Sequence, residues 1–105
     1  MKRFRPRYLA LRIESDKIPN STELMSAMFK SLFRLYGEYG ASKTRITLIS
    51  YDSEKGFAVV RTSHESVAMV RTSIASITEI SETSVAVHVL RISGTKKALA
   101  KSIDN

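Results

Sequence analysis

Lys2, Arg3, Arg5 and Arg7 fall within the first seven residues, with Phe4 between them and Tyr8 directly after. Guanidinium forks match phosphate oxygens, and Pro6 discourages helix, so this run can lie along a nucleic-acid backbone while the aromatics meet bases. The alternative is a solvated basic terminus. Four phosphate contacts from the run correspond to a log-log salt slope of roughly −3 to −3.6. Arg12, Arg45, Arg61 and Arg91 interrupt apolar stretches. A guanidinium inside a strand must leave through an open sheet face or an edge, so some of these share a surface, or else they are ordinary solvated positions. Lys96 and Lys97 follow Ser93-Gly94-Thr95. Small residues opening a helix offer free amides to a phosphate, although the same residues also serve as a plain strand end and helix cap. The spacing of a glycine-rich P-loop is absent, so nucleotide hydrolysis has no support.

Catalytic sets are sparse. His64 and His88 are the two histidines, neither has a second histidine at metal-ligand spacing, and the chain has no cysteine to complete a site. His88 falls in an apolar alternation and reads as a sheet-face or packed histidine. Asp52 with Glu54, and Glu79 with Glu82, lie in turn-forming or polar sequence and read as solvated carboxylates. No catalytic residue, metal site or cofactor of the chain's own is expected. A small enzyme using His88 and a carboxylate remains as a reading from another class.

Seventeen lysines and arginines against 10 acids give a net charge of +7, which favours a polyanionic partner, most commonly a nucleic acid. Excess surface charge with no partner is the alternative. The basic residues gather at the two ends, with Lys96, Lys97 and Lys101 near the last, while the acids are scattered singly. With 105 residues, 43% of them hydrophobic, the chain suits a single domain able to bury a core without metal or disulfide staples. The missing cysteines set aside thiol chemistry and the secreted, disulfide-dense class. No apolar run approaches the roughly 20 residues of a membrane span, and the charged start has no apolar signal core behind it. A cytoplasmic location without membrane contact is expected.

Periodicity identifies the strands and helices on which these residues sit. Leu9, Leu11 and Ile13 alternate with Tyr8, Ala10 and Arg12, the mark of a half-buried strand over 8–13. Asn20-Ser21-Thr22-Glu23 is a capping-box variant. The helix it opens carries Met25, Met28, Phe29, Leu32 and Tyr36 at spacings of three and four, widened by Leu24, Phe33 and Leu35, and Gly37 or Gly40 is its natural stop. Residues 44–51 and 57–62 read as a hairpin across Asp52-Ser53-Glu54-Lys55-Gly56. Tyr51 and Phe57, flanking that turn, are expected to pack on each other, with base stacking as the alternative. The register that would align Arg45 with Arg61 is left open by sequence. Ser63 is placed to cap a helix over 65–77, Glu79 to Thr83 is a polar link, and Val85, Val87 and Val89 begin a last strand running through Ile92. Residues 96–103 have the composition of a short terminal helix. This gives a basic arm at 1–7, a core at 8–92 and a C-terminal helical segment at 93–105. The order strand, helix, strand, strand, helix, strand is the split βαβ pattern: an α+β, ferredoxin-like antiparallel sheet with two helices on one face and the other face open. Many RNA-binding domains of this shape stack bases there. The aromatic octapeptide of a standard RNA recognition motif is missing from Phe57 to His64.

Several segments, in this order and spacing, resemble one family. They are Arg7-Tyr8-Leu9, Leu32-Phe33-Arg34-Leu35-Tyr36-Gly37-Glu38, Val59-Val60-Arg61, Val70-Arg71-Thr72-Ser73-Ile74-Ala75 with Ile77-Thr78, and Ser93-Gly94-Thr95. Nearly the whole chain resembles the archaeal ribonuclease P protein component 2 family, related to the smallest shared subunits of eukaryotic ribonuclease P and MRP. It departs from that pattern at Thr72-Ser73 and at Lys96. The resemblance implies the ferredoxin-like fold. It also implies a non-catalytic role within an endoribonuclease whose RNA subunit carries the chemistry with magnesium ions and removes the 5′ leader of precursor tRNA. Implied partners are the ribonuclease P RNA, the barrel-shaped protein component 3, in a two-plus-two assembly containing a homodimer, and, indirectly, precursor tRNA. Phe33, Tyr36 and Met69 are candidates for a helical docking face if they are not simply core. A different basic RNA-binding module of this fold, ribosome-associated or regulatory, is the runner-up.

Overall fold

In the computed structural model, residues 5–95 are described. Lys2, Arg3, Lys96, Lys97, Lys101 and the expected terminal helix lie outside them. The elements run β1 (Pro6–Ser15), α1 (Ser21–Lys43), β2 (Thr47–Asp52), β3 (Phe57–Ser63), a 3-10 turn (His64–Ser66), α2 (Val67–Ala75), β4 (Glu79–Ile80) and β5 (Thr83–Ser93). The sheet is antiparallel in the order β2-β3-β1-β5-β4, the ferredoxin-like arrangement with one added strand. That strand replaces the expected polar link. Its Ile80 is 5% exposed, and burying that side chain draws the segment onto the end of β5, where Ile80 pairs with Thr83.

The core lies between one sheet face and the two helices. Leu9, Leu11 and Ile13 of β1 and Ala58 and Val60 of β3 meet Leu24, Met28 and Leu32 of α1 and Val70 and Ile74 of α2. The capping box forms as the sequence indicates: Glu23 N donates to Asn20 Oδ1 at 2.8 Å and Asn20 N donates to Glu23 Oε1 at 3.0 Å. Two of the helix's orphan amide groups are thereby satisfied. Gly37, one of the two glycines expected to end α1, breaks its geometry at φ 75°, ψ 179°, yet helix resumes beyond it and runs past Gly40 to Lys43. The second helix is shorter than expected, with no side-chain cap bond from Ser63. Ser63 Oγ instead donates to Ser66 Oγ at 3.0 Å.

The apolar width expected of α1 is only partly used. Leu24, Met28 and Leu32 are buried, whereas Phe29, Phe33, Leu35 and Tyr36 are exposed. At 100° per residue, Phe29, Phe33 and Tyr36 form their own i, i+4, i+7 line, turned away from the sheet. Tyr39, past the glycine break, is 83% exposed. No described helix is long and apolar enough to cross a membrane.

Candidate nucleic-acid interface

Alternation along β1 decides the composition of the second sheet face. Because Leu9, Leu11 and Ile13 point to the helices, Tyr8, Ala10, Arg12 and Glu14 occupy the opposite face. Residues directly paired across an antiparallel ladder share a face. Arg61 of β3 stands opposite Tyr8, Val59 opposite Ala10, and Phe57 opposite Arg12. On the other flank of β1, Ser93 stands opposite Tyr8, Arg91 opposite Ala10, and His88 opposite Arg12. Three of the four strand arginines therefore share one surface with two aromatics and a histidine.

Two register shifts produce this result, and neither can be read from alternation. Between Ala10 and Leu11 the pairing passes from Arg91 to Val89, so Leu90 is left over, 49% exposed. The extra residue reverses the parity of the residues beyond it. Without it, Arg91 would point the same way as Val85 and Val87, into the helices. A second shift, between Leu48 and Ser50, leaves out Ile49 and turns Tyr51 to the core side opposite Ala58. There the Tyr51 hydroxyl donates to the Pro19 carbonyl, and burial pushes its pKa up. Phe57 pairs with Asp52 on the other face. The expected packing of Tyr51 on Phe57 is therefore wrong: the shift places their side chains on opposite sides of the sheet.

Arg45 does not join the group. It lies in the connection before β2 at φ 50°, and Thr47 is the residue opposite Arg61. Arg7 has the parity of Leu9, so it belongs to the helix side. Its Nη1 donates to the Pro6 carbonyl at 2.9 Å and lies 3.5 Å from where a Cβ on Gly94 would sit. Arg7 thus lies beside the Ser93-Gly94-Thr95 loop. With Pro6 it is paired within β1, opposite Thr62 and Ser63, and is not part of an arm ahead of the sheet as expected. Arg5 is exposed, and its carbonyl accepts from His64 N at 2.8 Å.

Electrostatics favour an anion at this face. Among the described residues, no carboxylate pairs with Arg12, Arg61 or Arg91. Arg61 Nε is shielded from solvent without an acceptor. Glu14 is the acid of the central strand on this face, and its Oε2 lies 3.1 Å from His88 Nε2, with both side chains at least half exposed. At the edge, Asp52 Oδ1 is occupied by the amides of Glu54 and Lys55, at 3.0 and 3.2 Å. No described group of three histidines or carboxylates could hold a metal ion. The His88–Glu14 pair is a meeting of a histidine with a carboxylate of the kind the enzyme reading requires, and it stands on an exposed sheet surface. Sequence alone couples Tyr8 to the basic arm and Phe57 to packing within the hairpin. The signal for Tyr8 is present in its alternation with Leu9, Leu11 and Ile13, whereas Phe57 needs the hairpin register.

Comparison with known proteins agrees with this architecture. The chain is 30% identical to the ribonuclease P protein component 2 of Methanosarcina mazei over 95 residues, 90% of this chain and 80% of that one. It is 31% identical to the Methanosarcina barkeri protein of the same name over 98% of this chain and 76% of that one. With the Methanocaldococcus jannaschii protein it shares 32% identity over 94% of this chain and 73% of that one. A chain in the cryo-EM structure of yeast ribonuclease MRP superposes with a TM-score of 0.73 at 18% identity, covering 99% of this chain and 93% of that one, which is a likeness of fold. The Rpp14/Pop5 family model matches residues 7–103, and the chain belongs to that family.

Proposed function

We propose that the protein is a subunit of ribonuclease P that binds the catalytic RNA and supports removal of the 5′ leader from precursor tRNA. The observation that carries this reading is its similarity, over nine-tenths or more of its length, to proteins named ribonuclease P protein component 2. The arginine-bearing sheet face supplies the physical means. Arg12, Arg61 and Arg91 neutralise RNA phosphates, and Arg7 with the basic residues before it in sequence adds to that charge. The chemistry belongs to the RNA and its magnesium ions, and the protein's part is electrostatic and architectural. The exposed line of Phe29, Phe33 and Tyr36 on α1 is suited to a protein neighbour, since contiguous apolar surface is the mark of an interface. Component 3 is the partner we assign to it.

The test is cleavage of precursor tRNA at moderate magnesium by a ribonuclease P RNA, with and without this chain and component 3. Activity that requires both proteins and falls when Arg3, Arg5 and Arg7 become alanine supports the reading. No stimulation by the folded protein returns it to a generic RNA-binding module.

A further inference from the structure

We propose that the open sheet face seats an unpaired stretch of RNA, with one base stacked on Tyr8 and another on Phe57 while Arg12, Arg61 and Arg91 hold the phosphates between and beside them. The inference rests on the RNA-binding reading above and narrows it to one face and one form of RNA. A charged patch alone would serve a duplex equally well. The aromatics make the difference, because stacked base pairs present no free ring face to a side chain, whereas unpaired bases do.

Tyr8 and Phe57 are both half-buried, so part of each ring remains available on the surface. Phe57 lies opposite Arg12 and Tyr8 lies opposite Arg61, so each aromatic has an arginine as its cross-strand neighbour. Four residues along β1 separate the two positions, about 14 Å at 3.4 Å per residue. That distance equals about four rises of a stacked strand, and fewer nucleotides suffice if the chain is stretched. Ala10, the small residue between them, has Arg91 as its neighbour on one side and Val59 on the other. An arginine therefore stands in the row between the two stacking positions, where the connecting phosphates would pass. Arg61 itself stands directly beside Tyr8 on the neighbouring strand.

The test uses the full chain with two probes, an unstructured ten-nucleotide oligouridine and a blunt RNA duplex, each followed by fluorescence anisotropy. Tyr8→Leu and Phe57→Leu retain apolar volume and remove the ring. Each is expected to weaken the single-strand complex by about 5- to 150-fold and to leave the duplex complex within about twofold. Equal losses on both probes, no loss on the single strand, or no binding of the oligouridine by the unaltered chain would overturn the proposal. If a leucine variant misfolds, 4-thiouridine crosslinking in the assembled ribonucleoprotein gives the same answer. Adducts mapping to Tyr8 or Phe57 support stacking, and adducts confined to other segments refute it. Stimulation of cleavage by the unaltered chain tests the subunit reading separately, so stacking can fail while that reading stands.

Discussion

Arg91 of β5 pairs with Ala10 of β1 only because the residue before it, Leu90, pairs with nothing on that strand. One unpaired residue therefore moves a guanidinium from the helix side of the sheet to the side that carries Arg12 and Arg61. Replacing Arg12, Arg61 and Arg91 together with alanine should reduce the salt slope of binding to ribonuclease P RNA by about 2 to 2.7, at about 0.7 to 0.9 per phosphate contact. Titrations between about 50 and 200 mM salt would measure it. An unchanged slope would mean that the face does not touch phosphate.

The outward line on α1 should behave as interface rather than core. Phe33 is 56% exposed, so Phe33→Glu should change stability by no more than about 0.5 kcal/mol. If component 3 docks there, the same variant should weaken the protein pair by about 2 kcal/mol or more, as substitutions at the centre of an interface do. Denaturant titration and gel filtration of the pair separate the two effects. A large loss of stability would show that the side chain belongs to the core after all.

Gly56 closes the β2–β3 turn at φ 70°, and a Cβ there would lie 2.7 Å from the Ile13 carbonyl oxygen. Its own carbonyl accepts from Ile13 N at 2.7 Å, which ties the turn to β1. Gly56→Ala should destabilise the fold by about 2 kcal/mol, from left-handed strain plus the backbone clash. Urea unfolding would check it, and a variant as stable as the parent would contradict the close approach.

The β4–β5 turn is built from two side-chain-bearing residues at positive φ, Ser81 at 51° and Glu82 at 67°. Relief of left-handed strain by glycine is worth about 1 to 2 kcal/mol, against about 0.4 to 1 kcal/mol of added unfolded-state entropy. Glu82→Gly should therefore stabilise the protein by about 0.5 kcal/mol, seen as a small rise in Tm. A fall in Tm would count against this balance.

Glu23 couples that turn to α1. Its carboxyl pKa is held below the usual value of 4.5, first by the Ser81 hydroxyl and then by the Asn20 amide. A depressed folded-state pKa contributes stability that is present above the unfolded value and is lost as pH falls through the folded one. Stability should decline in acid below about pH 5, and Glu23→Gln should flatten that limb. Parallel Tm profiles for the two proteins between about pH 7 and pH 3 would rule out the coupling.

Local chemistry makes much of this protein legible. The alternation of Leu9, Leu11 and Ile13 marks β1 and the Asn20–Glu23 box marks the start of α1, because each depends only on neighbours within one or two turns of chain. Gly37 and Gly40, by contrast, are equal candidates for the end of α1, and the helix runs past both. The same local rules place Tyr8 and Arg12 on one strand face. They cannot place Arg61, Phe57 or Arg91 beside them, because a strand's two-residue period is the same in every register. Nor can they show that Tyr51 and Phe57 face opposite ways, since Ile49 and Leu90 drop out of pairing only when whole strands are laid side by side. Helix periodicity likewise identifies the apolar positions of α1 without revealing that the sheet covers Leu24, Met28 and Leu32 and leaves Phe29, Phe33 and Tyr36 bare. The basic charge, most of the elements and the split βαβ order are properties of the chain as written. Which arginines and aromatics share a surface is a property of strand pairing, because a side chain's neighbours across a sheet are set by contacts far apart in the chain.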